Sequence, residues 1–265
     1  MKPKQTVKEE EVIDILKIEQ GEVVCALLGT LPLIENRLSE KVKHELLMPS
    51  RKKNDVERAT TLKHVPVDEF RAAIYRTDAP ETLIGFPSLA FKAAMRTAAL
   101  DMPGAKKTEV GRRTSVSGGL VSVYGIPRVF VKPVRSADIK RTPDIRTRAI
   151  IEHWACTVRI GFAKPLMTAQ GVVNLLAAGG IISGIGDWRG EKGGANFGQW
   201  EIVAPDDPRF LAIVASGGRA AQEQAMADAV PFDDESAELM EWFTEASAAR
   251  KLKGEAVATK LRGAA

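Results

Sequence analysis

Cysteine is scarce in this chain: 265 residues contain two, Cys25 and Cys156. Two thiols make no disulfide framework, and with no Cys or His at ligand spacing around them they make no zinc site. Each sits in an apolar, strand-like run, so both are expected as buried, unpaired thiols. Histidine is nearly as rare. His44, His64 and His153 show no ligand spacing among themselves, and His153, inside an apolar run, is expected half-buried in a strand. No metal and no cofactor is expected. No apolar run approaches the ~20 residues of a membrane span. The opening MKPKQTVKEEEV has no apolar stretch behind its lysines, which argues against a secretory signal and for a cytoplasmic location. Also missing are a G-x-x-x-x-G-K-[ST] phosphate loop, a G-x-S-x-G nucleophile elbow, and paired carboxylates placed as acid and base. GIGDWRG begins as G-x-G, but a helical pattern precedes it and a strand pattern follows, the reverse of a dinucleotide fingerprint. These absences remove the common nucleotide-binding and hydrolase readings, and no catalytic residue is assigned.

What the chain does have is ordinary globular composition, 45% apolar and 27% charged, at a length that allows one large domain or two small ones. Its net charge of +4 is unevenly spread. Between Lys106 and Arg148 eleven basic residues stand against three acidic ones, Glu109, Asp138 and Asp144. So concentrated a basic stretch, in a chain otherwise slightly acidic, is the footprint of a polyanion binder.

The pattern along the chain predicts a strand over Glu22–Ile34, a short helix capped by Ser39, a charged loop at 49–60 and a second short helix over Val67–Arg76. Residues 37–82 therefore read as an insertion. The strongest helix is Phe86–Asp101, with Ser88 as its cap. Residues 102–148 read as basic hairpin and loops: Pro103–Gly119, then two short strands around Gly125–Pro127, then a second loop over Arg135–Arg148. Ile150–Phe162 reads as one half-buried strand, and Thr168–Gly180 as a helix closed by Gly179 and Gly180. A strand over Phe197–Val203 follows. This is a βαββαβ order, the order of a ferredoxin-like α+β domain over 1–205. Residues 206–265 read as a helical extension, with Asp233–Glu255 as its main helix.

Two local features carry the chemistry. In the strong helix, Ser88, Lys92 and Arg96 are spaced four apart and share a face. Like charges at that spacing repel by a few tenths of a kcal/mol, about 0.2–0.5, and a phosphate across them reverses the sign. In GIGDWRGEKGGANFGQW, Gly184 to Trp200, six glycines surround two tryptophans. Gly184, Gly186, Gly193, Gly194 and Gly198 are expected to shape a loop that another backbone approaches closely. Arg189 and Lys192 could then reach phosphates, and Trp188 either stacks on a base or plugs the core. Trp200, in a strand, is expected in the core.

The chain resembles the RAMP superfamily of RNA-binding proteins, in particular CRISPR effector backbone subunits and related proteins of phages and mobile elements. The likeness rests on GTLPLI (Gly29–Ile34), FPSLAFKAAMR (Phe86–Arg96) and AGGIISGIGDWRGEKGGANFGQWEI (Ala178–Ile202). It implies a modified RRM, an RRM-like domain, that stacks head to tail as a filament along single-stranded RNA. It also implies that Lys92 and Arg96 face the strand and that Gly184, Gly186 and Gly198 shape the loop beside it. The basic stretch after Asp101 becomes a protruding hairpin. Where the family helix often has glycine after its lysine, this chain has Ala93.

The combined expectation is sequence-tolerant binding of single-stranded nucleic acid, RNA before DNA. The contacts would be Lys92, Arg96, Lys106, Lys107, Arg112, Arg113, Arg135, Lys140, Arg141, Trp188, Arg189 and Lys192. Partners would be further copies of the chain and other effector-complex subunits, with no membrane. Two rival readings are a metal-dependent endoribonuclease using Asp138 or Asp144, and a phage or host assembly protein whose basic face meets an acidic partner.

Overall fold

The computed structural model describes residues 15–38, 40–48, 64–135, 143–190 and 196–263. Its architecture is mixed α/β around a curled antiparallel sheet. Strand β1 (Glu19–Gly29) turns Cys25 and Leu27 into the core and leaves Glu22 and Val24 outside, the two-residue alternation of a half-covered strand. It pairs antiparallel with β9 (Ala155–Lys164) on one side and β10 (Trp200–Val203) on the other. Beyond β9 the sheet continues through β6 (Leu120–Tyr124) and β4 (Ile84–Pro87) to β3 (Tyr75–Arg76), in the order β10-β1-β9-β6-β4-β3, and β5 (Thr114–Val116) also pairs with β9. A second sheet of three strands runs β2-β8-β7: β2 (Leu33–Glu35), β8 (Pro143–Ile151) and β7 (Pro127–Arg135).

Helices α1 (Glu40–Leu47) and α2 (Pro66–Ala73) fall between the second and third strands. Helix α3 (Ser88–Ala98) buries Phe91, Ala94, Met95 and Ala98, and α4 (Lys107–Arg113) follows it. Helix α5 (Ala169–Ile182) buries Val172, Leu175 and Leu176, with the Thr168 hydroxyl accepting from Gly171 N at its start. Helices α3 and α5 share the main core with Cys25, Leu27, Val158 and Ile160 of β1 and β9. Fully burying a side chain such as Phe91 stabilises by about 2–3 kcal/mol. The opposite side of β1 and β9 is covered at Ala26 and Ala155 by Phe210 of α6 (Pro208–Ser216). Helices α7 (Arg219–Asp228) and α8 (Asp234–Gly263) complete the chain.

Several expectations are corrected. The first strand is two: it breaks at Thr30–Pro32, and its halves enter different sheets. Within segment 37–82, Phe70, Ala73 and Ile74 are in the main core and Tyr75–Arg76 joins the main sheet. Ser88 is not a cap. It lies buried in the first turn of α3 and its hydroxyl donates to the Gly118 carbonyl at 2.6 Å, fixing the helix to the turn before β6. The segment Pro103–Gly119 contains α4 and β5 instead of an open loop. Much of the second basic loop is strand: β8 pairs with β7 from Pro143 to Ile151. The long strand over Ile150–Phe162 is interrupted at Glu152–Trp154, where the chain passes from one sheet to the other, and His153 is exposed there. Gly179 and Gly180 do not close α5, which runs on to Ile182. They are buried contact points, Gly179 close against the backbone of Ala94 and Met95, and Gly180 against Trp200, where a Cβ would run into the Trp200 carbonyl oxygen. Ser39 and the loop at 49–60 lie outside the described residues.

Both cysteines are buried and unpaired, and Trp200 is in the core. Helix α7 is held by Gln222, fully buried, whose amide accepts from Leu83 N and Ile84 N and donates to the carbonyls of Val123, Gly125 and Gly217.

Candidate functional site

The solvent side of α3 shows Leu89, Ala93 and Arg96, with Lys92 half-buried beside them and Leu100 exposed just past the helix end. Arg96 lies over α4: a Cβ on Gly111 would stand 3.0 Å from its Nε. Four cations, Lys106, Lys107, Arg112 and Arg113, lie at or next to α4. Its one acid, Glu109, accepts from Lys106 Nζ at 3.2 Å and Arg113 Nη1 at 2.9 Å. These cations, Lys106 first, hold its carboxyl below the ordinary range. Among the described residues Lys92, Arg96, Lys107 and Arg112 have no carboxylate within 4.0 Å. Six of the cations expected at the site thus belong to the α3–α4 flank, and four of them make no ion pair with a described residue.

On the other side of α3 lies a cleft of about 260 Å³. Phe86, Pro87, Ala90 and Ala93 form one wall, and Gly184, Gly186, Asp187 and Arg189 form the other. The glycine loop is sewn to the β1–β2 connection. Gly198 N donates to Pro32 O at 2.7 Å, Asp187 N to Ile34 O at 2.9 Å, and Ile185 N to Gly198 O at 2.9 Å. Gly198 has φ +68° and its missing Cβ would run into the Ile185 carbonyl; Gly186 has φ +88° and a Cβ there would stand 2.5 Å from the Ile34 carbonyl oxygen. Only glycine suits such positions. Arg189 donates from Nη1 to Gly186 O at 3.0 Å. The exposed face of α3 is therefore continuous with α4 through Arg96 and with the glycine-loop cleft through Ala93.

The loop has an anchor that sequence reading missed. The Arg148 side chain, 3% exposed, donates from Nε to Asp187 Oδ2 at 2.6 Å. The same oxygen accepts from Asn36 Nδ2 at 3.0 Å. The guanidinium carbon sits 4.6 Å from the Trp188 ring centroid. Burial pushes the Arg148 guanidinium below its usual range, and the Asp187 charge opposes that. Its Nη1 is buried without a partner. Trp188 packs edge-on against Phe130 and at a tilt against Phe197. This ring fastens the loop to β7 and β8, and Arg148 already covers one of its faces. The sequence signal was present but faint: a basic residue in the apolar run TRAII, which a strand can only place inward or outward.

The remaining expected residues divide. Arg135 ends β7 in the three-stranded sheet and lines neither the cleft nor the α3–α4 flank. Asp144 lies on β8, partly buried, with Oδ1 against His64 Nε2 at 3.1 Å. Lys140, Arg141, Lys192, Gly193, Gly194 and Asp138 lie outside the described residues. No three His, Cys, Asp or Glu among the described residues are grouped to hold a metal ion, and no described helix is long and apolar enough to cross a membrane. No protein-family model matches the chain, and no curated protein matches it.

Proposed function

We propose that the chain binds single-stranded nucleic acid, RNA in preference, with little sequence choice, along the open face of α3. The observation that carries this reading is the α3–α4 flank, where six cations gather around one acid, Glu109, and Lys92, Arg96, Lys107 and Arg112 have no carboxylate within 4.0 Å among the described residues. Such charge is costly to gather unless a polyanion neutralises it. The strand would pass from α4 over Arg96 and Ala93 to the glycine-loop cleft, where close backbone approach and Arg189 offer further phosphate contacts. Bases would splay over apolar side chains such as Leu89 and Leu100 rather than over Trp188.

The finer fold reading rests on the same frame. The order β10-β1-β9-β6, with α3 entering before β6 and α5 between β9 and β10, is how a βαββαβ unit lays its strands. On that reading the domain is of modified-RRM, RAMP type, the β7–β8 hairpin protrudes from it, and copies stack head to tail on one strand.

The test is fluorescence anisotropy with a labelled single-stranded RNA across a salt series. Each lost phosphate contact lowers the slope of log K against log salt by about 0.7 for a single strand. Lys92→Ala/Arg96→Ala/Arg112→Ala is expected to weaken binding strongly and to flatten that slope by about 2. An affinity and slope equal to those of the unsubstituted protein refute the reading. Purification without co-eluting nucleic acid, with capture by an acidic protein instead, would favour the assembly role.

A further inference from the structure

His64 stands two residues before α2, with a carboxylate against each ring nitrogen. Nδ1 is 2.8 Å from Glu69 Oε1 on α2, and Nε2 is 3.1 Å from Asp144 Oδ1 on β8. All three side chains are mostly covered, between 25% and 29% exposed. An ionised carboxylate only accepts hydrogen bonds, and a neutral imidazole has a single N–H. A neutral ring can therefore satisfy Glu69 or Asp144 but turns a lone pair toward the other. Both contacts are made together only by the imidazolium.

We propose that His64 is a proton-operated clasp between α2 and the start of β8. Protonated, it ties the α2 segment to the β7–β8 hairpin by two charge-assisted hydrogen bonds. Losing one proton releases one of them, and Asp144, at the longer distance, is the partner released. A cleft of about 370 Å³ borders the clasp, so water can enter when it opens. Among the described residues the charged groups around this cleft are Glu69 from α2, Asp144 and Arg146 from β8, and Arg37 from the segment after β2. The same geometry excludes His64 as a general base, since neither nitrogen is left for a substrate.

The inference does not depend on nucleic-acid binding. It is read from the exchange protection of the β8 amides, Asp144 to Thr147, in the full chain across the range of about pH 5 to pH 8 where histidine changes charge. The protection factor is expected to fall about tenfold with rising pH, the worth of one hydrogen bond to a charged group. In His64→Gln it is expected to stay flat. An equal fall in His64→Gln, or no fall in the unsubstituted protein, overturns the clasp. The nitrogen-15 shifts of the His64 ring give a second readout that needs no variant: both nitrogens should carry hydrogen at the acid end. A neutral ring there overturns the inference as well.

Discussion

Replacing Asp187 with alanine isolates the energetics of the glycine-loop anchor. The change removes a carboxylate that faces the Arg148 Nε at 2.6 Å and also accepts from Asn36 and from the Trp188 amide. It leaves a guanidinium that is 3% exposed and already has one buried nitrogen without a partner. Breaking a buried pair from one side costs about 3–5 kcal/mol, because the remaining charge stays out of water. The lower figure applies here, since Asp187 itself is about a third exposed and water can follow it inward. At about 2–4 °C per kcal/mol for a chain of this size, the melting temperature should fall by about 6–12 °C. Arg148→Met is the control. It removes the buried charge, keeps most of the packing, and lets Asp187 rehydrate, so its cost is the lost cation–π contact and hydrogen bond, about 1–2 kcal/mol. The double variant should be about as stable as Arg148→Met alone. Urea and thermal unfolding measure all three. If Asp187→Ala costs no more than Arg148→Met, the reasoning about an uncompensated buried cation is wrong.

Two further outcomes are expected. Gln222→Ala should cost at least about 3 kcal/mol in urea unfolding, because it leaves the buried amides of Leu83 and Ile84 and three carbonyls without their side-chain partner; a loss under about 1 kcal/mol would show that water replaces the amide. Glu35 is fully buried with one carboxyl oxygen unpartnered, and burial pushes its carboxyl well above the usual range against the opposing Tyr75 N–H. The unfolded chain then releases a proton near about pH 4.3 that the folded chain keeps, so this group's contribution to stability declines as pH rises above that value. Glu35→Gln should remove the decline, gaining on the unsubstituted protein toward neutral pH and matching it near about pH 4; a stability difference that does not vary with pH would refute the assignment of a neutral carboxyl.

Much of the fold was legible along the chain. Alternating Cys25, Leu27, Val158 and Ile160 marked the central strands, and the alanine-rich run around Phe91 marked α3, because such patterns report local burial directly. The expectation failed wherever a partner distant in sequence decided the outcome. Thr30–Pro32 looked like part of one strand over Glu22–Ile34, but it is where the chain leaves one sheet for another. Arg135–Arg148 looked like a loop because its charges and Pro143 hide a strand that β7 completes by backbone pairing. Ser88 looked like a cap because the Gly118 carbonyl it binds is thirty residues away.

The candidate site divides the same way. The sequence by itself determined which segments carry excess positive charge and which loop needs glycine, since charge and φ preference belong to single residues. Only the tertiary structure decided that Arg96 lies over α4, that Arg189 faces Ala93 across a cleft, and that Arg148, marked in the sequence only as a basic residue in an apolar run, holds the loop through Asp187 and Trp188. These are relations between chain segments far apart in sequence, and the energy of each depends on burial that no single segment creates.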